Sequence, residues 1–485
     1  MKLSFGSLVL VTSIPLALLL AGASLGIVIV LFVWMCMLSY AMEEIRSRPF
    51  LAAFLIAFFV FLMGREIIVH LGLQGEVIVA SDVDDHLHAV LGLGLASLWI
   101  GYRVGGRRGS KRSTPLIEPA SRIDTPKIVG YRQAARLIIL VTWPAAMYGL
   151  YLRALQVRER GYTDLYVESG PAEASSPVVG QLALVFIAAF CLYLGSFPER
   201  RDARLPVALW LVYVVGSLAS GQRGTFIVGT LLILCYALVR DKWTGESRWL
   251  TTPMAIGLLA GIPLLIAVLT AVEETRGVGS QYDGGPYQVA LSFFYNQGVS
   301  STVITNGYLF QSLIPVQHYL LEFLHSGIPA RLLGIPVLQD NSVARAMESG
   351  SYTHALAYTV LGDAYLAGRG TGSSYLAEGY QVFGYWGVGI VSAGVGLLLR
   401  FIDRVSPGET LKNGVRLLCA QPIFWAPRGS TTGFLSVLMA PSTVLVLIAV
   451  SVAGYLYASK VKVGSSLSTA PASRASARSM YRQDS

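Results

Sequence analysis

The sequence predicts an all-α fold, a polytopic bundle of membrane-spanning helices, and three observations predict it. The 485 residues are 54% hydrophobic and only 13% charged, against roughly 25% charged in an average soluble protein. The apolar residues gather into runs of about 16–24, enough at 1.5 Å per residue to cross a hydrocarbon core of about 30 Å. Runs such as 179–196 and 434–458 are apolar nearly all round, whereas a soluble helix of that length keeps a polar face.

About twelve spans follow in order. The apolar stretch from Phe5 to Met42 is too long for one crossing and has no break resembling a cleavage site. Small residues around Ala21–Gly26 suit a tight turn, dividing it into 5–21 and 25–42. Then come 50–69, 87–104, 137–157, 179–196, 206–220, 225–240 and 250–272. The last three are 376–399, 411–426 and 433–458.

Cations test this alternation. Arg46 and Arg48 follow the second span, and Arg103, Arg107, Arg108, Lys111, Arg112, Arg122, Lys127, Arg132 and Arg136 follow the fourth. Arg200, Arg201 and Arg204 follow the sixth, and Arg240, Lys242 and Arg248 the eighth. Arg400, Arg404 and Lys412 follow the tenth, and Lys460 and Lys462 the last. Every even-numbered span ends in a cation-rich connection, so the positive-inside rule puts both termini in the cytoplasm. Nucleic acid is not needed to explain the net charge of +9, because the cations lie between apolar runs. Residues 1–464 are expected to form the transmembrane domain, with 273–375 as its large periplasmic loop. Residues 465–485, rich in Ser, Ala and Arg, read as a disordered cytoplasmic tail. No internal repeat stands out, which weighs against a transporter built from matching halves.

The long connection 273–375 is too polar and interrupted to span, yet holds apolar periodic stretches at 289–303 and 313–324. It is expected to form a helical cap on the outer mouth, partly in the interface. Its cations are Arg276, Arg331, Arg345 and Arg369, with no lysine, a choice that a diphosphate ligand favours.

Several residues then stand out as site candidates. Arg223 occupies Gly221-Gln222-Arg223-Gly224, an almost loopless connection. It either snorkels to the interface or holds an anion, helped by the free N–H groups of the helix starting near Thr225. Arg276 follows Glu273 and Glu274, so a local ion pair competes with a site role. Arg369 lies in Gly368-Arg369-Gly370-Thr371-Gly372-Ser373-Ser374, and Glu378 follows inside the next span. Glycines allow close backbone approach, and a buried carboxylate is costly without a partner. Arg428, in Pro427-Arg428-Gly429-Ser430, either snorkels or binds. Asp363 and His354 are acid/base candidates in the long connection, and His318 and His325 lie on its apolar stretches. Asp82-Val83-Asp84-Asp85-His86-Leu87-His88 falls in the predicted connection between spans three and four. It contains ligand types for a divalent ion, and reads first as an acidic solvated loop. Cys36, Cys191, Cys235 and Cys419 all fall in apolar segments and read as core residues. There is no Walker A loop, GxSxG elbow, HExxH or CxxC, which argues against a nucleotide-driven pump.

Three segments carry a resemblance: Ser220-Gly221-Gln222-Arg223-Gly224-Thr225-Phe226, Phe293-Phe294-Tyr295-Asn296-Gln297-Gly298-Val299-Ser300, and Gly370 through Tyr380 followed by Phe383-Gly384-Tyr385-Trp386-Gly387. With Gly161-Tyr162, they resemble the bacterial O-antigen polysaccharide polymerase family, Wzy, over about residues 130–435. The resemblance implies a GT-C-like multipass glycosyltransferase of the bacterial inner membrane. Such enzymes move a growing glycan from one undecaprenyl-pyrophosphate carrier onto the repeat unit of another. It implies no cofactor, neither nucleotide sugar nor metal. The implied partners are undecaprenyl-pyrophosphate-linked oligosaccharides and membrane lipids, with a chain-length regulator and a flippase of the same pathway, and no nucleic acid. Arg223 and Arg369, with Arg276 or Arg428, are then expected to hold the pyrophosphate. Glu378 or Asp363 would prepare the acceptor hydroxyl, and Gln297, Ser373, Ser374 and Tyr375 would contribute to substrate binding. An O-antigen ligase and a lipid-linked oligosaccharide flippase remain as alternatives.

Overall fold

The computed structural model describes residues 5–75, 80–107, 125–167, 177–243, 248–274, 285–338 and 340–468. Among them every element is helical and there is no strand. Helices α1 (Phe5–Leu20) and α2 (Leu25–Glu43) are joined by a turn at Gly22, whose φ of +91° suits glycine. Helices α3 (Pro49–Phe58) and α4 (Gly64–His70) make one crossing through a π-helical turn at Phe59–Met63. Next come α5 (Ser81–Arg107), α6 (Pro126–Arg160), α7 (Pro177–Gly195), α8 (Arg200–Gly216) and α9 (Arg223–Trp243). Helices α10 (Thr252–Ala260) and α11 (Ile262–Glu274) form a bent pair, at 41°.

The long connection folds into a helical cap: α12 (Pro286–Gln297), α13 (Ser301–Leu309), α14 (Gly327–Leu333), α15 (Val343–Glu348), α16 (Tyr352–Leu361) and α17 (Asp363–Leu366). The predicted apolar stretch 289–303 is helical, whereas 313–324 passes through turns into a 3-10 helix at Tyr319–His325. The chain returns to the bundle as α18 (Tyr375–Ile402), α19 (Thr410–Trp425), a short α20 (Gly433–Leu438) and α21 (Pro441–Ser468). Several connections meet at one end of the bundle, where Arg404 donates to the Gly105 carbonyl, Trp243 Nε1 to the Val405 carbonyl and Asn413 Nδ2 to the Gly195 carbonyl. Among the described residues, Arg48, Arg103, Arg404 and Arg416 belong to these connections.

Among the described residues, nine helices are long and apolar enough to cross a membrane, or ten if the bent pair counts as one crossing. The predicted twelve is reduced at both ends of the criterion. Helices α1 and α19 have 16 residues each, short of the 18 that a crossing of this length needs. By contrast α6, predicted at 137–157, has 35 residues, about 52 Å at 1.5 Å each, and overshoots a 30 Å core. Residues 469–485, most of the predicted tail, lie outside the described residues.

Two further corrections concern the cap end. The Asp82–His88 cluster is not a loop but the first two turns of α5, with His86 and His88 buried. And α18 is not one straight span. Its φ/ψ leave the helical region at Phe383 and Gly384, where φ is +57° at the glycine. A methyl group on Gly387 would overlap the carbonyl oxygen of Gly379, which an unbroken helix would hold well apart. The segment Tyr375–Val382 is therefore a half-helix folded back against the crossing that starts at Tyr385. Its first turn is deep in the bundle: Leu376 packs beside Gly94, halfway along α5, and Tyr375 meets Phe54 edge-on at 6.2 Å. The crossing then runs alongside α5, where Gly101 and Gly396 let the two backbones touch, the small-residue packing typical of membrane helices.

Candidate active site

The loop Gly368–Ser374 descends from the cap end into the bundle to reach that half-helix. Above it lies a cavity of about 900 Å³ between bundle and cap. Five arginines line it: Arg65, Arg223, Arg345, Arg369 and Arg428. Asn296, Gln297, Asn341, Tyr162, Tyr166 and Thr353 supply neutral hydrogen-bonding groups, and His354 lies on the same wall. Among the described lining residues there is no Asp or Glu. Five guanidinium groups repel one another in a partly desolvated space, so the arrangement favours a bound polyanion.

Each arginine is delivered by a distinct piece of backbone. Arg65 follows the π-turn of the α3–α4 crossing, donates to Tyr295 Oη at 3.0 Å and lies 4.2 Å over that ring. Gly298 packs directly on Arg65, leaving no room for a side chain. Arg223 opens α9 after Gly221, whose φ of +73° makes the sharp turn, and donates to the Leu269 carbonyl at 3.1 Å. Arg345, on α15, donates to the Asp340 carbonyl at 3.2 Å. Arg369 is held through its backbone: Asn341 Nδ2 donates to the Arg369 carbonyl at 3.0 Å and to the Tyr365 carbonyl at 2.8 Å. The neighbouring Gly368, at φ +88°, presses on the Thr163 backbone in the turn after α6. Arg428 Nη1 lies 3.5 Å from both the carbonyl and Oε1 of Gln297, with its guanidinium 5.7 Å over Phe61.

Glu378 is 1% exposed and is not among the lining residues. Its carboxylate accepts from Ser373 Oγ at 2.7 Å and from the Thr431 N–H at 2.7 Å. It thereby ties the loop carrying Arg369 to the loop carrying Arg428. Burial and the nearby Arg345 hold His354 down to about 3, so it is neutral at pH 7, and its Nδ1 is 3.1 Å from Tyr365 Oη.

Of the residues singled out in the sequence, Arg223, Arg369, Arg428 and Gln297 come together on the cavity. Ser373, Ser374 and Tyr375 are buried behind it with Glu378. Asp363 is exposed at the start of α17 and is not among the lining residues. Arg276 lies outside the described residues. Arg65 was missed as a site residue, although a charge inside an apolar run is itself a signal. Arg345 was visible only as one of four loop arginines. Gly370 and Gly372 of the Gly-Thr-Gly-Ser-Ser segment line the cavity, and its two serines are buried.

No curated protein and no solved structure matches the chain. The family model described as O-antigen polysaccharide polymerase Wzy matches residues 3–460, nearly the whole length. This multipass membrane protein, with its arginine-lined cavity, belongs to the O-antigen polysaccharide polymerase Wzy family.

Proposed function

We propose that the protein polymerises oligosaccharide repeat units carried on undecaprenyl pyrophosphate, by glycosyl transfer at the periplasmic face of the bacterial inner membrane. The observation that carries this reading is the set of five arginines on one cavity whose described walls have no carboxylate. Arg223 and Arg369, with Arg428, Arg65 and Arg345, grip the donor diphosphate through bidentate contacts. As the bond from the donor's anomeric carbon to the diphosphate breaks, they stabilise the negative charge on the leaving group. The acceptor hydroxyl oxygen bonds that carbon, and its proton passes to the departing diphosphate, which leaves as the free carrier diphosphate. Asn296, Gln297 and Asn341 offer the donors and acceptors that sugar hydroxyls need.

Glu378 serves in this mechanism as a positioning residue, because its carboxylate is occupied by Ser373 and Thr431. Arg276 belongs to the proposed clamp from the sequence alone. Cation-rich connections at the end opposite the cap support a cytoplasmic position for both termini. A flippase and a chain-length regulator of the same pathway would be its working partners.

Replacing Arg223 or Arg369 by alanine in cells is expected to abolish polymer, leave single capped repeat units, and keep protein abundance unchanged. Full-length chains from both variants would overturn the clamp. Polymer stranded on its carrier would instead mark a ligase.

A further inference from the structure

Three side chains outside the arginine cavity converge where α4 meets α5. His70 closes α4, while Asp84 and His88 lie one turn apart near the start of α5. One ligand atom from each lies within 4.8 Å of the others. His70 Nε2 is 3.5 Å from Asp84 Oδ2, and His88 Nδ1 is 3.6 Å from the same oxygen. Hydrogen bonds to a carboxylate close to about 2.7–3.2 Å. Ligand atoms set tetrahedrally about 2.1 Å from one ion stand roughly 3.4 Å apart. Both distances to Asp84 Oδ2 fit the second geometry, and the two imidazole nitrogens lie within 4.8 Å of each other.

The two imidazoles are also prepared for it. His70 Nδ1 lies 2.8 Å from the backbone carbonyl of Glu66. A carbonyl only accepts, so Nδ1 carries the proton and Nε2 turns its lone pair toward Asp84, as in metal-bound histidines. His88 is 6% exposed, and its Nε2 is buried without a hydrogen-bond partner. Its ring sits against Gly26 of α2, where a Cβ would fall 2.7 Å from Nδ1. Nδ1 is the atom that faces Asp84, so it is the ring's ligand atom and Nε2 carries the proton.

We propose that His70, Asp84 and His88 bind a divalent transition ion of the zinc class, with water completing the shell. Two imidazoles and one carboxylate suit such ions, whereas Ca²⁺ and Mg²⁺ take six or more oxygens. None of the three residues lines the cavity, so the ion is a structural staple. It joins α4 to α5 one turn beyond Glu66, which accepts from Ser301 Oγ of the cap at 2.6 Å, and beyond Arg65 of the cavity wall.

The test uses full-length protein purified in detergent through a tag without histidines. After dialysis with Zn²⁺ the wild type is expected to retain about one ion per chain and to melt at a higher temperature than its chelator-stripped form. Asp84→Asn, His70→Gln and His88→Gln are expected to bind Zn²⁺ at least about tenfold more weakly and to lose the melting shift. Should a variant fail to fold, Co²⁺ loaded into stripped wild type decides, since a tetrahedral site gives intense visible bands. Wild type that holds no Zn²⁺, variants that hold it as well as wild type, Co²⁺ without tetrahedral bands, or Mg²⁺ matching Zn²⁺ would each overturn the site.

Discussion

Guanidinium groups and one carboxylate explain most of the site's behaviour. The arginines remain charged at any working pH, and a diphosphate beneath the cap would replace their mutual repulsion with charge-assisted bonds. Glu378 contributes differently: its carboxyl oxygens are taken up by Ser373 Oγ and the Thr431 N–H. His354 gives a pH test. Burial and Arg345 hold it down to about 3, while an unfolded histidine titrates at 6.5. As pH falls from 6.5 toward about 3, the unfolded chain takes up a proton that the folded chain refuses, so folded stability declines across that window and is fully present above it. Burial raises Glu322 in the same cap, which acts in the opposite direction but is common to both proteins compared. His354→Gln should therefore flatten the acid limb in melts at about pH 7 and about pH 4.5. An unchanged limb would show that His354 is not held neutral.

These residues were unequally legible in the sequence. Arg223, Arg369 and Arg428 flank glycines in short connections, where a charge draws attention. Arg65 sits in a continuous apolar run, and only the π-turn and the docking of Gly298 turn it toward the cavity. Glu378 was visible as an intramembrane carboxylate, but its partners come from loops 5 and 53 residues away. Spacing alone could not reveal that it faces them.

At the level of elements, the half-helix beginning at Tyr375 sets the floor of the site. Its eight residues rise about 12 Å from the depth of Gly94 to the break at Gly384. The apolar run 376–399 concealed this break, because hydropathy continues through it. Gly384 was the available clue, since φ +57° with ψ −145° is open mainly to glycine. The reverse happened at Asp82–His88, where acidic composition suggested a loop. There Val83, Leu87, His86 and His88 are all buried as α5 begins. Gly387→Val should force the half-helix from its seat, cost about 1–3 kcal/mol by overpacking, and abolish polymer. Gly394→Val, on the same crossing with open space around it, should leave both stability and polymer intact. Equal behaviour of the two variants in melts and polymer gels would contradict the folded-back geometry.

Across the whole molecule, two chemistries are separated in the proposed orientation, with cation-rich connections on the cytoplasmic side and the arginine-lined cavity on the other. The alternation of spans was readable because charge and hydropathy vary on the scale of a whole crossing. The proposed orientation rests on the positive-inside rule and is directly testable in a chain whose native cysteines are replaced. A cysteine at Gly370 should react with an impermeant thiol reagent in intact spheroplasts, and one at Lys412 only after permeabilisation. The opposite pattern would put the cavity in the cytosol and remove the proposed substrate from reach.

The grip on the diphosphate is tested most directly by titrating undecaprenyl pyrophosphate into purified protein in detergent. Wild type should bind it more tightly than undecaprenyl monophosphate. Arg65→Ala and Arg345→Ala should each weaken diphosphate binding about tenfold or more, the loss expected for one charged hydrogen-bonding group. Diphosphate affinity equal in wild type and both variants would contradict the five-arginine account.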